Sequence, residues 1–391
     1  MFESLDQIFI TLKHWILGFL PEGWQSLVSA ILSLLPILVV FPTLFAITTW
    51  LERKGLARVQ NRYGPNRAGP FGWLQPAADG IKALTKEDLV PRAADKVIHF
   101  LAPVVLVIPV FLSFAVLPVG RNMVAVDMDA GLLFFFAVGA ATELSVFMAG
   151  WSSRNKYALM GAMRAIAQMV SYEIPLILSS VTVVMIVGTL SPVKIVEAQS
   201  GYGGLLPDWF VFTPWGLLGF ILFMISATAE SNRSPFDLPE GESELVAGYF
   251  IEYSGFKFAL FFLAEYLGMF AISGLGITLF LGGWNAPAAW LTWIPSWAWF
   301  FMKLVAIILV LIWVRGTVPR LRMDQLMNFA WKFMLPLVLI NLLAAAIWHY
   351  MTPGIPRWLV GIALVVGPYL WLGLGLMEGK KLGARKYRFA D

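Results

Sequence analysis

The sequence predicts an all-α integral membrane protein of about nine transmembrane helices, on three observations. Hydrophobic residues make up 59% of the 391-residue chain and charged residues only 13%, against about 45–50% and about 25% in soluble domains. Mean hydropathy is +0.75, and no water-soluble fold hides that much apolar surface. The apolar residues fall in runs of the roughly 20 residues that cross about 30 Å of hydrocarbon, and Lys and Arg collect on alternate connections between those runs.

The first 23 residues open with acids before Lys13 and have a mixed polar face. That is unlike a basic leader running into a cleavable apolar core, so residues 1–23 are expected to form a retained interfacial segment on the outer side. Apolar runs then mark spans at 26–50, 98–118, 130–150, 168–190, 214–230, 245–279, 297–314, 333–351 and 357–377. The sixth run exceeds one crossing, which predicts tilt, a break or an interfacial extension near Gly268, Gly274 and Gly276. The 52–97 connection is far longer than a helix pair requires, a mark of function. Its middle, Phe71 to Leu84, has apolar residues at helical spacing beside polar ones and predicts an amphipathic helix lying in the interface. No repeat, low-complexity segment or linker divides the chain, so 1–391 is expected to be one membrane domain, with an acidic loop at 231–244 and a tail at 378–391.

Orientation follows from the basic residues. Of the 28 Lys and Arg, only Lys13, Arg121, Lys194 and Arg357 fall on one side, and Lys257 and Lys303 lie within apolar runs; the rest share the other side. This predicts a cytoplasmic C-terminus and an outer N-terminus. Most of that basic charge is accounted for by topology or subunit contact. The aromatic residues, 15% of the chain, mostly flank the spans as an interfacial belt does.

Several chemistries are excluded. With no cysteine, the chain offers no thiolate for an iron–sulfur cluster, no disulfide and no thiol nucleophile. His14, His99 and His349 lack metal-ligand spacing and read as structural or interfacial. Gly375 to Lys381 has the wrong spacing for a phosphate loop, so no nucleotide site is expected.

What remains is a set of acids in or beside the membrane: Glu143, Glu173, Glu230, Asp237, Glu240, Glu242, Glu244, Glu252 and Glu265. A charge at the bilayer centre costs at least about 2.5–3.5 kcal/mol, so such residues face protein or water and are functional candidates by default. Glu173 lies nine residues beyond Arg164, about 13.5 Å of helix, which sets it well inside the hydrocarbon. Pro175 beside it removes a helix hydrogen bond and predicts a kink that admits water or a polar group. A protonated Glu173 bonded to a neighbouring helix is the alternative, and Glu143 fits that alternative equally. Glu240, Glu244 and Glu252 share helical spacing on a face leading from the loop into the membrane. On residue types alone, a solvated acidic loop and a proton path fit this segment equally.

Several stretches together resemble the H subunit family of respiratory complex I and its mitochondrially encoded counterpart. They are Glu52-Arg53-Lys54 through Arg62-Tyr63-Gly64-Pro65-Asn66 to Gln75–Lys82; Gly150-Trp151 through Lys156–Leu159 to Arg164 and Ala167–Glu173; Glu230 to Glu252; Ala264-Glu265-Tyr266; and Arg315 through Pro319-Arg320 to Asp324–Met327. They cover most cytoplasmic loops and adjoining helix ends. The resemblance implies a membrane subunit that forms, with two peripheral subunits, the chamber where a hydrophobic quinone meets the terminal iron–sulfur cluster, and that begins the path coupling quinone reduction to proton translocation. It implies that Arg53, Lys54, Arg62, Asp79 and Lys82 shape the chamber entrance and the contact with peripheral subunits. It implies a charged path of Arg164, Glu173, Arg233, Asp237, Glu240, Glu242, Glu244, Glu252 and Glu265. Glu143 departs from the family pattern and takes no role from it, and the ninth span departs from the eight of the mitochondrial counterpart.

By the same resemblance the chain carries no catalytic redox centre and no metal. Its substrate is ubiquinone or menaquinone, and NADH, FMN and iron–sulfur clusters sit in other subunits. Its partners are the peripheral quinone-site and cluster-bearing subunits, neighbouring small membrane subunits and lipid, with no nucleic acid, in a bacterial inner membrane. Two other readings compete: the homologous membrane subunit of an energy-converting hydrogenase, and an independent secondary transporter, which predicts internal repeats and paired broken helices that the sequence lacks.

Overall fold

The computed structural model describes residues 6–203, 206–238 and 247–377. The chain is an all-α multi-pass membrane protein. Its α-helices are α1 Ile8–Gly18, α2 Glu22–Val59, α3 Gln75–Thr85, α4 Lys96–Ser113, α5 Gly131–Ser152, α6 Lys156–Val187, α7 Pro192–Glu197, α8 Pro214–Glu230, α9 Gly255–Phe280, α10 Ser296–Thr317, α11 Met323–Phe329, α12 Leu335–Tyr350 and α13 Ile355–Met377. Between α7 and α8, strands β1 (Tyr202–Gly203) and β2 (Leu206–Pro207) pair antiparallel.

The nine apolar runs correspond to α2, α4, α5, α6, α8, α9, α10, α12 and α13. Seven helical segments among the described residues are long and apolar enough to cross a bilayer, with α11 and α12 joined through a π-helical turn at Ala330–Met334 as one of them. α8, at 17 residues, and α13 are apolar helices outside that set. The helix ends follow their capping residues. Asp95 accepts from the Val97 and Ile98 amides at the start of α4, Asn155 from Tyr157 at the start of α6, and Thr213 from Gly216 at the start of α8. α6 stops at Gly188, whose φ of +77° is the left-handed conformation that ends helices.

α9 is the central helix, its face buried from Phe261 to Phe280 among α2, α4, α8 and α10. Of the tilt, break or interfacial extension expected near Gly268, Gly274 and Gly276, the break is absent, since α9 is continuous through all three. Two of these glycines instead allow close packing. A side chain on Gly274 would lie 3.0 Å from Leu117, and one on Gly276 2.9 Å from Phe223. The excess length of the sixth run lies outside α9, in a turn segment around Gly248–Phe250. α6 likewise remains helical through Pro175 and starts at Lys156, well before the run that marked it.

The two ends of the bundle differ. At one end, Asp6 accepts from both the Ser296 amide (2.7 Å) and hydroxyl (2.5 Å) at the start of α10, and Phe9 meets Trp297 edge-on, which docks α1 there. At the same end Lys303 donates to the carbonyls of Leu281, Gly283 and Asn285 at 2.7–2.8 Å and lies 4.0 Å from the Trp209 ring. Gln199 donates to Thr278 and Leu279 and accepts from the amides of Phe210 and Gly282. The C-terminal carbonyls of α9, which lack helical partners, are thereby taken up by side chains. The opposite end carries α3, an 11-residue amphipathic helix between α2 and α4 where the interfacial helix was expected.

Candidate functional site

At the α3 end, the last turns of α2 carry Glu52, which is 5% exposed. It accepts a hydrogen bond from the Tyr266 hydroxyl at 2.5 Å, pairs with Arg315 of α10, and lies 3.5 Å from Arg233. The Arg233 guanidinium stacks over the Tyr266 ring at 3.7 Å. Burial alone would weaken the Arg233 charge, but Tyr266, Glu52 and Glu265 around it hold its pKa above the usual arginine value. One carboxylate thus stands between two guanidiniums in a largely desolvated pocket shared with Met269, Leu311 and Ile312, where paired charges are tolerated and single ones are not.

The loop bearing Arg233 is held by α6. Gln168, fully buried, donates to the carbonyls of Ala229 (2.7 Å) and Phe236 (2.6 Å) and to Asn232 Oδ1 (3.2 Å). Tyr172 packs against Phe236 and donates to the Leu326 carbonyl. This clamp fixes Arg233 and the half-buried Asp237 against the bundle.

Beside the ion cluster a cavity of about 90 Å³ opens between α4, α5, α6 and α9. Its walls are mostly apolar, and its polar lining includes Glu173, Glu230, Glu265, Asn232 and Tyr249. Gly268, with no atom near the position of a side chain, leaves that stretch of wall open. Tyr249 donates to Glu265 at 3.1 Å. Glu265 and Tyr266 are successive residues of α9, so the helix turns one toward the cavity and the other toward Glu52. Glu143, on α5, is close enough to act electrostatically on Glu230 and to feel Glu173. Among the described residues, Glu230 Oε2 and Glu143 Oε1 are buried without a hydrogen-bond partner.

The residues expected to act together divide into three groups. Glu173, Arg233 and Glu265 converge on the cavity and the ion cluster. Glu252 accepts from Asn155 at the start of α6 at 2.7 Å, and Arg164 is half-buried two turns further along that helix. Arg53, Lys54, Arg62, Asp79 and Lys82 lie apart from these, at the end of α2, in the loop after it and on α3. There Arg53 pairs with Asp79 at 2.6 Å, Lys54 with Asn66, Arg62 with Gln60, and Lys82 lies exposed on α3. Trp50 stacks on Trp73 at 4.6 Å and fixes the loop to α2. Glu240, Glu242 and Glu244 lie outside the described residues. Tyr266, Arg315 and Glu52 join the site without having been assigned to it from sequence, and Glu230 and Glu143, candidates there by residue type alone, join it without a place in the charged path that the resemblance implied. Glu52 and Glu230 had a legible signal, each being an acid at the end of an apolar run. His99 is fully buried, its ring stacked on Tyr253 at 4.0 Å. Among the described residues no group of acids or histidines could hold a metal ion.

The family model described as NADH dehydrogenase matches residues 32–346, which span every element of this site. The H subunit of NADH-quinone oxidoreductase from Dehalococcoides mccartyi (strain CBDB1) is 47% identical over 348 residues, 89% of this chain and 94% of its own length. Its counterpart of the same name from Geobacillus kaustophilus is 50% identical over 297 residues, covering 76% and 86%. That from Polaromonas naphthalenivorans is 41% identical over 350 residues, covering 88% and 97%. With a family model matching most of its length and relatives of this identity aligned nearly end to end, the chain belongs to the NADH dehydrogenase family.

Proposed function

We propose that this chain is the membrane subunit of a proton-translocating NADH:quinone oxidoreductase, that it walls the quinone chamber, and that it begins the path coupling quinone reduction to proton transport. The observation that carries this reading is the continuity of ionisable groups from the Glu52–Arg233–Arg315 cluster, through Glu265, to Glu173 and Glu230 in a membrane-embedded cavity. The relatives' names supply the quinone and the assembly.

Reducing a quinone to quinol consumes two electrons and two protons. The electrons arrive from an iron–sulfur cluster on a peripheral subunit, fed by FMN and NADH elsewhere in the complex, since this chain has no cysteine to hold a cluster. Its own residues hold and pass charge. Arg233 and Arg315, fixed by Glu52, maintain positive potential at the chamber wall, where proton uptake by the quinone changes the local balance. Glu265 is one residue from that cluster and lines the cavity with Glu173 and Glu230, so a change at the cluster is felt by carboxyls that exchange protons. Asp237, Glu252 and Arg164 extend the path toward the cytoplasm, and Glu240, Glu242 and Glu244 are assigned to it on the resemblance to the family. Arg53, Lys54, Arg62, Asp79 and Lys82 face the peripheral subunits and the quinone entrance. The basic connections set the N-terminus outside and the C-terminus in the cytoplasm of a bacterial inner membrane.

Two measurements test this. Photo-crosslinking a quinone analogue in the isolated complex should label the segments of α2, α9 and α10 around Glu52, and labelling confined to other subunits would overturn the chamber assignment. Glu230→Gln should lower proton pumping and quinone reductase activity in a fully assembled complex, whereas undiminished coupled turnover would remove Glu230 from the path.

A further inference from the structure

The outer surface of α5 carries a single apolar stripe. Leu133, Ala137, Ala140, Leu144, Phe147 and Trp151 are all exposed, and their alternating spacing of four and three puts them on one face. The stripe rises about 27 Å at 1.5 Å per residue, close to the thickness of the hydrocarbon layer. It ends beside α6. Gly150 brings the two helices together there, since a side chain at that position would come within 2.4 Å of Ala162 Cβ. Just beyond this contact lies a small cavity lined by Gly150, Trp151, Arg154, Asn155, Lys156 and Leu159. Arg154 and Lys156 bring two cationic side chains to it, and among the described residues neither is in an ion pair. Trp151 and Tyr157 are 55% and 61% exposed beside it, amphipathic rings at the level where such rings mark the membrane interface.

We propose that this cavity is a binding site for an anionic glycerophospholipid, its phosphate held between Arg154 and Lys156 and an acyl chain laid along the α5 stripe. The pocket presents two cationic side chains that form no ion pair among the described residues, the nearby Glu252 carboxylate being held by Asn155 at 2.7 Å, and it opens at the head of an apolar track. A free phosphate would satisfy the charges and leave the track uncovered, whereas a zwitterionic lipid would cover the track and bring its own cation to the pocket. An anionic lipid matches both features, as basic pockets at the cytoplasmic ends of membrane helices do. The site lies on the end of α5, the α5–α6 turn and the first turn of α6, and it uses none of the residues assigned to quinone or proton chemistry.

The test uses the intact complex in lipid nanodiscs doped with photoactivatable phosphatidylglycerol or photoactivatable phosphatidylcholine. Phosphatidylglycerol should label the Leu144–Met160 region well above phosphatidylcholine. Arg154→Gln with Lys156→Gln should cut that labelling on the order of thirty-fold, from the stabilisation a membrane-surface Lys or Arg gains near anionic lipid. The exchange variant Arg154→Lys with Lys156→Arg should retain the labelling, which separates loss of charge from loss of fold. Equal labelling by both lipids, or labelling undiminished by the double neutralisation, would overturn the proposal. So would a photoreactive residue at position 151 that cross-links to a neighbouring protein subunit in place of lipid.

Discussion

Replacing Glu52 with Gln isolates the contribution of one negative charge to the site. The side chain keeps its volume, and the amide oxygen still accepts from Tyr266, whose hydroxyl lies 2.5 Å away. What disappears is the counterion of two guanidiniums, Arg233 at 12% side-chain exposure and Arg315 at 32%. Removing one member of a buried ion pair costs about 3–5 kcal/mol. Arg315 is near enough to solvent to be partly screened, so the lower end, ~3 kcal/mol, is expected. The assay is thermal dissociation of the solubilised complex, followed by retention of this subunit, in a double-mutant cycle with Arg315→Gln. The double variant should recover at least ~1 kcal/mol relative to the sum of the single losses, because one surplus cation has gone. A Glu52→Gln complex that melts with the parent, or single effects that simply add, would refute the account of Glu52 as the charge holding the cluster together.

Gly161→Ala should be more damaging than its size suggests. The new Cβ would fall 2.7 Å from Gly248 Cα and 2.8 Å from its carbonyl carbon, so backbone has to move at a cost of about 1–3 kcal/mol. Since that segment presents Tyr249 to Glu265, quinone reductase activity should fall while the amount of inserted subunit is preserved. Lys303→Met strips three carbonyls of their donor, at about 1–3 kcal/mol for each group left unsatisfied; hydrogen exchange at residues 281–285 should speed up, and unchanged protection would count against the capping role. Asp79→Asn breaks a half-exposed pair with Arg53, worth less than about 1 kcal/mol, and should leave the melting temperature of the complex unmoved.

Membrane class and the placement of the spans were legible because a bilayer imposes a length and a polarity on every crossing, and α4, α5 and α10 fall where their apolar runs do. The fate of the glycines in α9 was not, since glycine marks both a break and a close contact, and only the neighbours Leu117 and Phe223 decide between them. The site was legible by residue type but not by grouping. Glu173, Arg233 and Glu265 were recognisable as acids and a base near apolar runs. Their convergence with Glu52 and Tyr266 depends on contacts more than 180 residues apart in the chain, which no local pattern encodes. Glu143 shows the same limit from the other direction. Read alone it was as well explained by a helix–helix bond as by function, and only its proximity to Glu173 and Glu230 ties it to the cavity.

The ammonium of Lys303 and the amide of Gln199 together fasten the far end of α9 to the segments on either side of it. The α3 end of α9 is fastened as well, by Lys257 to Asp88 at 2.7 Å and by the Ser254 hydroxyl, which donates to the Glu87 carbonyl and accepts from the Leu89 amide. A rod pinned at both tips cannot slide, so a change of charge beside Glu265 and Tyr266, near its middle, has to be taken up by bending of the helix or by turning of those side chains. Turnover-linked motion of α9 should therefore be largest near its middle and small at both ends, and spin labels placed along the helix would read that profile directly.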